Sequence, residues 1–368
     1  MPGAAVTLPR PAPATAFSLP DGLAATEPAE ARGVARDEVR LLVAADGAPL
    51  RHLRFRDLPS ALRPGDLVVV NTSDTEPAAV DGHRDDGRRV TLHVSGPAPD
   101  GLHVVELRTP DGRRVTDAVA GETVLLPAGV AATLLTAHPD PHVVAGSRLW
   151  RARIPVAGGL RGWLAAAGRP IRYAYVRGAW PLADYRTVFA RAEAEFGSAE
   201  MPSAGRPFTP AVLAGLHAAG VGVAEVVLHT GVSSLEADEL PLRERFRVPP
   251  ATAAAVNATR QAGGRVVAVG TTVTRALETA ADKDGQVTAR AGWTHLVLGP
   301  DHPVRVVDGL VTGWHQPEAS HLLLLEAVAG AELVGRAYAA ALAERYLWHE
   351  FGDSCLLLPD VAARNVTR

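Results

Sequence analysis

Where one apolar run ends and a helical pattern begins, the chain reads Gly270-Thr271-Thr272, with Arg275 close behind. A strand that turns into a helix through glycine and two threonines leaves backbone N–H groups and two hydroxyls at the positive end of that helix. Such an end suits a carboxylate, a phosphate or a ribose. A helix capped by its own threonine is the plainer alternative. Other reactive side chains are scattered. His229 lies in Leu228-His229-Thr230-Gly231, His315 in Gly313-Trp314-His315-Gln316-Pro317, and Asp353 follows Phe351-Gly352. The imidazoles are candidates for proton transfer or polar contact; Asp353 also fits a turn. Arg243-Glu244-Arg245-Phe246-Arg247 sets an aromatic ring among positive charges, which could touch phosphates or form a solvated face.

Thirteen histidines are spread over the chain, but none has HExxH or similar spacing, so no metal is expected. GxSxG, Walker A and a GxGxxG strand-to-helix turn are missing from the sequence, which removes hydrolase, kinase and dinucleotide readings. With 40 acidic against 37 basic residues the formal net charge is −3. A nucleic-acid partner must therefore be held by a local basic patch. The single cysteine, Cys355, excludes an internal disulfide and a cysteine zinc cluster. No apolar run approaches the roughly 20 residues of a membrane helix, and the start is broken by prolines where a signal peptide needs an apolar core. No membrane partner and a cytoplasmic location are expected.

The elements that must position these residues follow from pattern. At 368 residues, 47% hydrophobic, the chain exceeds one ordinary core. Residues 1–16, rich in alanine and proline, are expected to be unstructured. Strands are expected at Val39 to Ala44, Leu67 to Val70, Val223 to His229, Arg265 to Val269 and Thr294 to Leu298. Helices are expected over Tyr185 to Phe196, after the Thr209 N-cap with Pro210 behind it, over 249–262, from Thr272 to Thr279 and over 331–346. Between 77 and 153 short alternating runs broken by Asp85-Asp86-Gly87 and Pro110-Asp111-Gly112 read as antiparallel β. The fold class is an α/β main domain, 17–76 and 154–368, with an inserted small antiparallel β-barrel domain, 77–153. In such sheets ligands bind at the carboxyl ends of strands, the edge to which Asn71, His229 and Gly270 are delivered.

In order along the chain, FSLPDGLAA, Arg36-Asp37 with RLLV, LRPGDLVVVN, Tyr185 with RTVFA, MPSAGRPFT, LHTG, GRVVAVGTTVTRALE, WHQPEASHLLLL and FGDSCLLL resemble the S-adenosylmethionine:tRNA ribosyltransferase-isomerases of queuosine biosynthesis. The resemblance runs from Phe17 to Leu358. It implies an α/β domain with an inserted barrel, S-adenosylmethionine as cosubstrate, and transfer of its ribosyl part to 7-aminomethyl-7-deazaguanine at the tRNA wobble position, with adenine and methionine released. On this reading Gly270, Thr271, Thr272 and Arg275 clamp the cosubstrate, with Arg36, Asp37 and Asn71 as further contacts. His229, His315 and Asp353 are the candidates for catalysis.

The pattern departs from that family in places. Ser203-Ala204-Gly205-Arg206-Pro207 has proline where the family has histidine, Val232-Ser233-Ser234 replaces a Gly-Thr-Phe run, and Glu239 to Glu244 keeps only the glutamate of a His-x-Met-His-x-Glu cluster. Thr312-Gly313 stands for the family's Thr-Asn. These changes leave two other readings open: a relative that cleaves or transfers S-adenosylmethionine onto a small molecule, and a binding module without a base.

Overall fold

The computed structural model describes residues 12–98, 100–143, 146–192, 196–232, 241–299, 302–317 and 319–360. The chain starts its sheet with β1, Arg40–Ala45, and β2, Arg51–Arg54, followed by a 3-10 helix at Phe55–Ala61 and β3, Leu67–Asn71. It then leaves for β4, Ala79–Arg84; β5, Arg89–Pro97; β6, His103–Arg108; β7, Thr123–Leu126; β8, Val130–His138; and β9, Leu149–Arg153. After α1, Leu160–Ala167, and α2, Pro210–Ala218, come β10, Gly222–His229; β11, Glu244–Val248; α3, Pro250–Gln261; β12, Val266–Val269; and α4, Thr271–Ala280. Last are β13, Arg290–Thr294; β14, Gly309–Gly313; α5, Ser320–Ala329; α6, Ala331–Ala343; and β15, Ser354–Leu358.

Among the described residues nine strands form one mixed sheet in the order β13-β11-β10-β3-β12-β14-β15-β1-β2, and six close a barrel in the order β4-β5-β6-β9-β8-β7. The fold is thus α/β with an antiparallel barrel inserted after β3. Apolar residues along each central strand alternate between two cores, as a strand buried on both faces requires. Leu67 and Val69 join Val256, Leu277, Leu322 and Val334 from the later helices on one face. Val68 and Val70 join Phe55, Leu58, Phe208 and Leu216 on the other. The barrel has its own core, which includes Leu92, Val105, Leu107, Leu134 and Trp150.

Strands β10, β3, β12 and β14 run parallel, so their carboxyl ends meet at one edge. β15 is antiparallel to β14, with Ser354 opposite Gly313. The residues entering β15 therefore arrive at that same edge, which brings His349 and Glu350 to where the other strands deliver their last residues.

Three expectations are corrected. Among the described residues the helix expected over Tyr185 to Phe196 does not form, and a 3-10 turn stands at Leu182–Tyr185 instead; residues 193–195 lie outside the described part. Beyond the turn the backbone pairs with the segment after β3, through bridges from Ser73 to Arg191 and Thr75 to Ser198. Arg186 binds the Asp74 carboxylate at 2.8 and 2.9 Å, so tertiary pairing overrides the local helical spacing. The strand expected at Thr294 to Leu298 lies earlier, at Arg290–Thr294, because there it pairs with β11. Residues 12–16 are partly tied down, with the Ala14 and Thr15 N–H groups donating to Glu326 at 3.1 and 2.7 Å; residues 1–11 lie outside the described part. Among the described residues no helix is long and apolar enough to cross a membrane.

Asn71 ends β3 as a strut. Its Nδ2 donates to the Leu228 carbonyl at 2.8 Å, and its Oδ1 accepts from the N–H groups of Leu228 at 3.0 Å and Ser73 at 3.1 Å. All of this is buried, so truncation strands three backbone groups. Asn71→Ala is expected to lower the unfolding free energy by about 3 kcal/mol. A urea midpoint equal to wild type would refute the strut.

Candidate functional site

The cavity at the carboxyl edge is walled by the segments that follow β3, β10, β12 and β14, by the approach to β15, and by Tyr173 and Tyr175 from the connector after the barrel. Gly270, Thr271 and Thr272 form one wall. Gly270 holds φ at +88°, a value that favours glycine, and it is the N-cap of α4 with no side chain to satisfy the first N–H groups. The amino end of α4 therefore meets the cavity with its donors open to a ligand.

Arg275 lines the same cavity but is heavily engaged. It is ion-paired with Glu244, and it donates to the carbonyls of Leu296 at 3.0 Å and Leu242 at 2.9 Å. Glu244 in turn accepts from Gly231 N–H at 3.3 Å. Burial pushes the Glu244 carboxyl up, against the Arg275 charge. The arginine expected as a clamp is thus a cross-brace between α4, the start of β11 and the loops after β10 and β13.

Histidines cluster on the opposite side. His315 stacks on His321, with centroids 4.6 Å apart and planes 4° from parallel. The His315 ring contacts Thr312 Oγ1 at 3.1 Å, while its backbone N–H donates to the Tyr338 hydroxyl at 3.2 Å and its carbonyl accepts from Trp348 Nε1 at 2.9 Å. Burial, then the charges of His321 and His349, hold His315 well below its usual range. His321 is pushed down to about 4 by burial and by Arg275, and His349 to about 4 by burial. His349 keeps a left-handed φ of +74°, a strained conformation for this residue type, and stacks on Tyr175 at 4.0 Å.

Next to them stand two carboxylates, each bonded by a tyrosine. The Tyr175 hydroxyl donates to Glu350 Oε2 at 2.5 Å, and the Tyr173 hydroxyl donates to Glu200. Burial raises Glu350 to about 7, so this carboxyl exchanges its proton near neutrality. The cavity presents neutral imidazoles, aromatic side chains and a carboxyl raised towards neutrality around the amino end of a helix. That arrangement suits a ligand with an anionic end and a cationic centre.

The other expected site residues lie elsewhere. His229 is buried beside the cavity, its Nδ1 at 2.8 Å from Ser73 Oγ, and it lines an adjoining groove. Asp353 does not line the cavity. It accepts from the N–H groups of Arg40 at 2.7 Å and Leu347 at 2.8 Å, holding the turn before β15. Arg36 bonds Glu30 and the Arg186 carbonyl, and Asp37 accepts from the Thr209 hydroxyl, steadying the start of α2. Asn71 is the strut already described. At the family departure, Arg206 bonds the Asp184 carbonyl and Glu30 and lies over Phe351. Ser233, Ser234, Glu239 and Leu240 lie outside the described residues.

Sequence reasoning missed His321, His349, Glu350, Glu200 and the two tyrosines. His321 stands one residue into a helix, His349-Glu350 precede the turn at Asp353, and Tyr173 and Tyr175 alternate in a connector. Only adjacency to already chosen residues marks the first three, and no local pattern marks the others. Among the described residues no group of three or more histidine, cysteine or acidic side chains could hold a metal ion.

Residues 14–357 match a family model described as queuosine biosynthesis protein. A protein of Acidiphilium cryptum called S-adenosylmethionine:tRNA ribosyltransferase-isomerase is 39% identical over 93% of this chain and 97% of its own length. One of Moorella thermoacetica with the same name is 34% identical over 93% of this chain and 98% of its own. The crystal structure of S-adenosylmethionine tRNA ribosyltransferase from Thermotoga maritima is 28% identical, covers 94% of this chain and 99% of that one, and superposes with a TM-score of 0.51.

Glu350 gives the site a pH signature. Its folded-state pKa is raised from the ordinary 4.5 to about 7. Between those values the folded chain holds a proton that the unfolded chain has lost, so stability falls as pH rises across the window. The histidines act in the opposite sense, losing stability as pH falls from 6.5 towards 4. Glu350→Gln removes only the first dependence. Its unfolding free energy relative to wild type is expected to rise by about 2 kcal/mol between pH 4.5 and 7.5 in urea titrations. A flat difference over that range would count against the assignment.

Proposed function

The chain belongs to the queuosine biosynthesis protein family, and from that premise we propose that it transfers the ribosyl part of S-adenosylmethionine to a 7-deazaguanine base in tRNA and isomerises it, releasing adenine and methionine. The observation that carries this reading is that the family match runs unbroken through the segments that build the cavity, from Thr75 to Glu350.

The geometry supplies a part for each end of the cosubstrate. The methionine carboxylate sits at the amino end of α4, on the N–H groups behind Gly270 and the hydroxyls of Thr271 and Thr272. The sulfonium lies in the part of the cavity lined by Tyr173, Tyr175 and Glu350. Because His315, His321 and His349 are kept neutral, they add no positive charge to repel it. His315 and His321 present flat rings to the adenine or hydrogen-bonding atoms to the ribose hydroxyls. Arg275 and Glu244 fix the wall and touch no reacting atom.

The sulfonium acidifies the adjacent C5′ hydrogens. A base that removes one of them leaves an electron pair at C5′ that forms a C4′=C5′ double bond as the C4′–O4′ bond breaks; O4′ then becomes the carbonyl oxygen on C1′ and expels adenine, which takes up a proton. Glu350 is the group suited to this step. Raised to about 7, it can take up a proton near neutral pH, whereas imidazoles held near 4 are weak bases. The Tyr175 hydroxyl orients it and stabilises its ionised form.

Incubation of the protein with S-adenosylmethionine is expected to release adenine only when tRNA carrying 7-aminomethyl-7-deazaguanine is present. Release without tRNA, or only with a small acceptor, would instead make the chain a small-molecule transferase. Glu350→Gln is expected to lower kcat for adenine release by at least about 100-fold, while calorimetry shows S-adenosylmethionine binding within about threefold of wild type. Unchanged kcat would remove Glu350 from the mechanism.

A further inference from the structure

A separate cleft opens where the connector that follows α1 meets the barrel. Along Ile171, Arg172 and Tyr173 the side chains alternate, with Ile171 and Tyr173 lining the cavity and Arg172 lining the cleft. One run of chain thus borders both spaces, and Tyr185 lines both as well. The barrel contributes Asp81 of β4 and Arg89 of β5, and the connector adds Arg169 and Trp180.

Among the described lining residues three arginines, Arg89, Arg169 and Arg172, stand with a single carboxylate, Asp81. Arg169 takes that carboxylate, its Nη2 donating to Asp81 Oδ1 at 2.7 Å. The Thr91 hydroxyl donates to the same oxygen at 2.7 Å. Arg89 and Arg172 are exposed, and among the described residues neither forms an ion pair. Arg172 donates from Nη1 to the Gly178 carbonyl at 2.6 Å, a neutral acceptor that steadies the guanidinium and leaves its charge and its other N–H groups open. Three positive charges against one negative leave two in excess, on a chain whose formal net charge is −3. Trp180 directs its one donor to the Arg177 carbonyl at 2.9 Å, so its ring offers the cleft only aromatic surface.

We propose that this cleft holds the backbone of the RNA acceptor beside the base to be modified, with phosphates on Arg89 and Arg172 and a nucleobase against Trp180. The inference rests on the tRNA reading above and adds where the RNA lies. A planar guanidinium with open N–H groups matches a phosphate in charge and in shape. An indole ring packs on any base, and single-stranded loops are the part of RNA whose unstacked bases reach such a ring. A net acidic chain must gather an RNA through a local cationic surface, and this cleft is one that its own carboxylate does not neutralise. Arg172 stands in the chain between two residues of the cavity wall, so a strand held there brings its next nucleotide to the cavity.

The test uses the full chain and a fluorescently labelled anticodon stem-loop bearing 7-aminomethyl-7-deazaguanine. Arg89→Ala and Arg172→Ala are each expected to weaken its binding about fivefold and to lower the slope of log affinity against log salt by about 1, while Arg89→Lys keeps the wild-type slope. Trp180→Ala is expected to weaken binding about tenfold, and Trp180→Phe to restore most of that loss. S-adenosylmethionine binding, measured by calorimetry, stays within twofold in every variant and shows that each is folded. Should Arg172→Ala disturb the connector, Arg89→Ala decides alone, since the Arg89 side chain has no bond to lose. The proposal is overturned if the arginine variants bind the stem-loop within twofold of wild type with an unchanged salt slope, or if wild type does not bind it. Arginine-dependent binding by a wild-type protein that releases no adenine keeps the cleft and sinks the functional reading instead. Normal adenine release with unaffected variants does the reverse.

Discussion

The buried ion pair between Arg275 and Glu244 sets the shape of everything at the working edge of this protein. Two charges in a place this dry cost several kcal/mol to desolvate and return it only when their remaining donors and acceptors are met. Here they are met by the carbonyls of Leu242 and Leu296 and by the N–H of Gly231. Four segments of the chain must therefore come to one point for the pair to be tolerated. Glu244 lines both the cavity and the adjoining groove, so the contact that braces α4 stands where the two meet.

Burial does a second job on the other side of the cavity. It keeps three histidines uncharged and lifts Glu350 to about 7. These are two consequences of one cause, since desolvation disfavours whichever form carries charge. The outcome is a cavity with little positive charge of its own apart from a neutralised arginine. A sulfonium is accepted there without repulsion, and a carboxyl is left able to take a proton at neutral pH.

The barrel is more than an insertion on a spare loop. On the face of β6 opposite the core residues Val105 and Leu107, a buried Glu106 contacts Arg108 and Arg148 and lies near His93. Burial works against that carboxylate, but the nearby His93 and the charges of Arg148 and Arg108 hold it down to about 2. Arg108 also lies over the ring of Tyr173, 5.9 Å from its centre, and Tyr173 lines the cavity. This polar cluster on the outer face of the barrel thus reaches the site through one tyrosine.

The sequence by itself determined the elements whose cause is local. An unbroken apolar run made the β3 strand, Thr209 with Pro210 started α2, and Gly270 marked the strand-to-helix turn, because a short apolar run, a capping hydroxyl and a positive φ each act within a few residues. The order of its short motifs also carried the family, and with it the α/β fold and barrel. Tertiary structure alone decided which polar side chains share a cavity. Arg36, Asp37, Asn71 and Asp353 were conspicuous in sequence, yet they serve as braces for α2, β3 and β15. His321, His349, Glu350 and Tyr175 were inconspicuous and line the cavity. Two facts account for the difference: an antiparallel final strand brings its approach to the edge where the parallel strands end, and pKa values shift only once burial removes water. Neither strand direction across a sheet nor the depth of a side chain is written in the residues next to it.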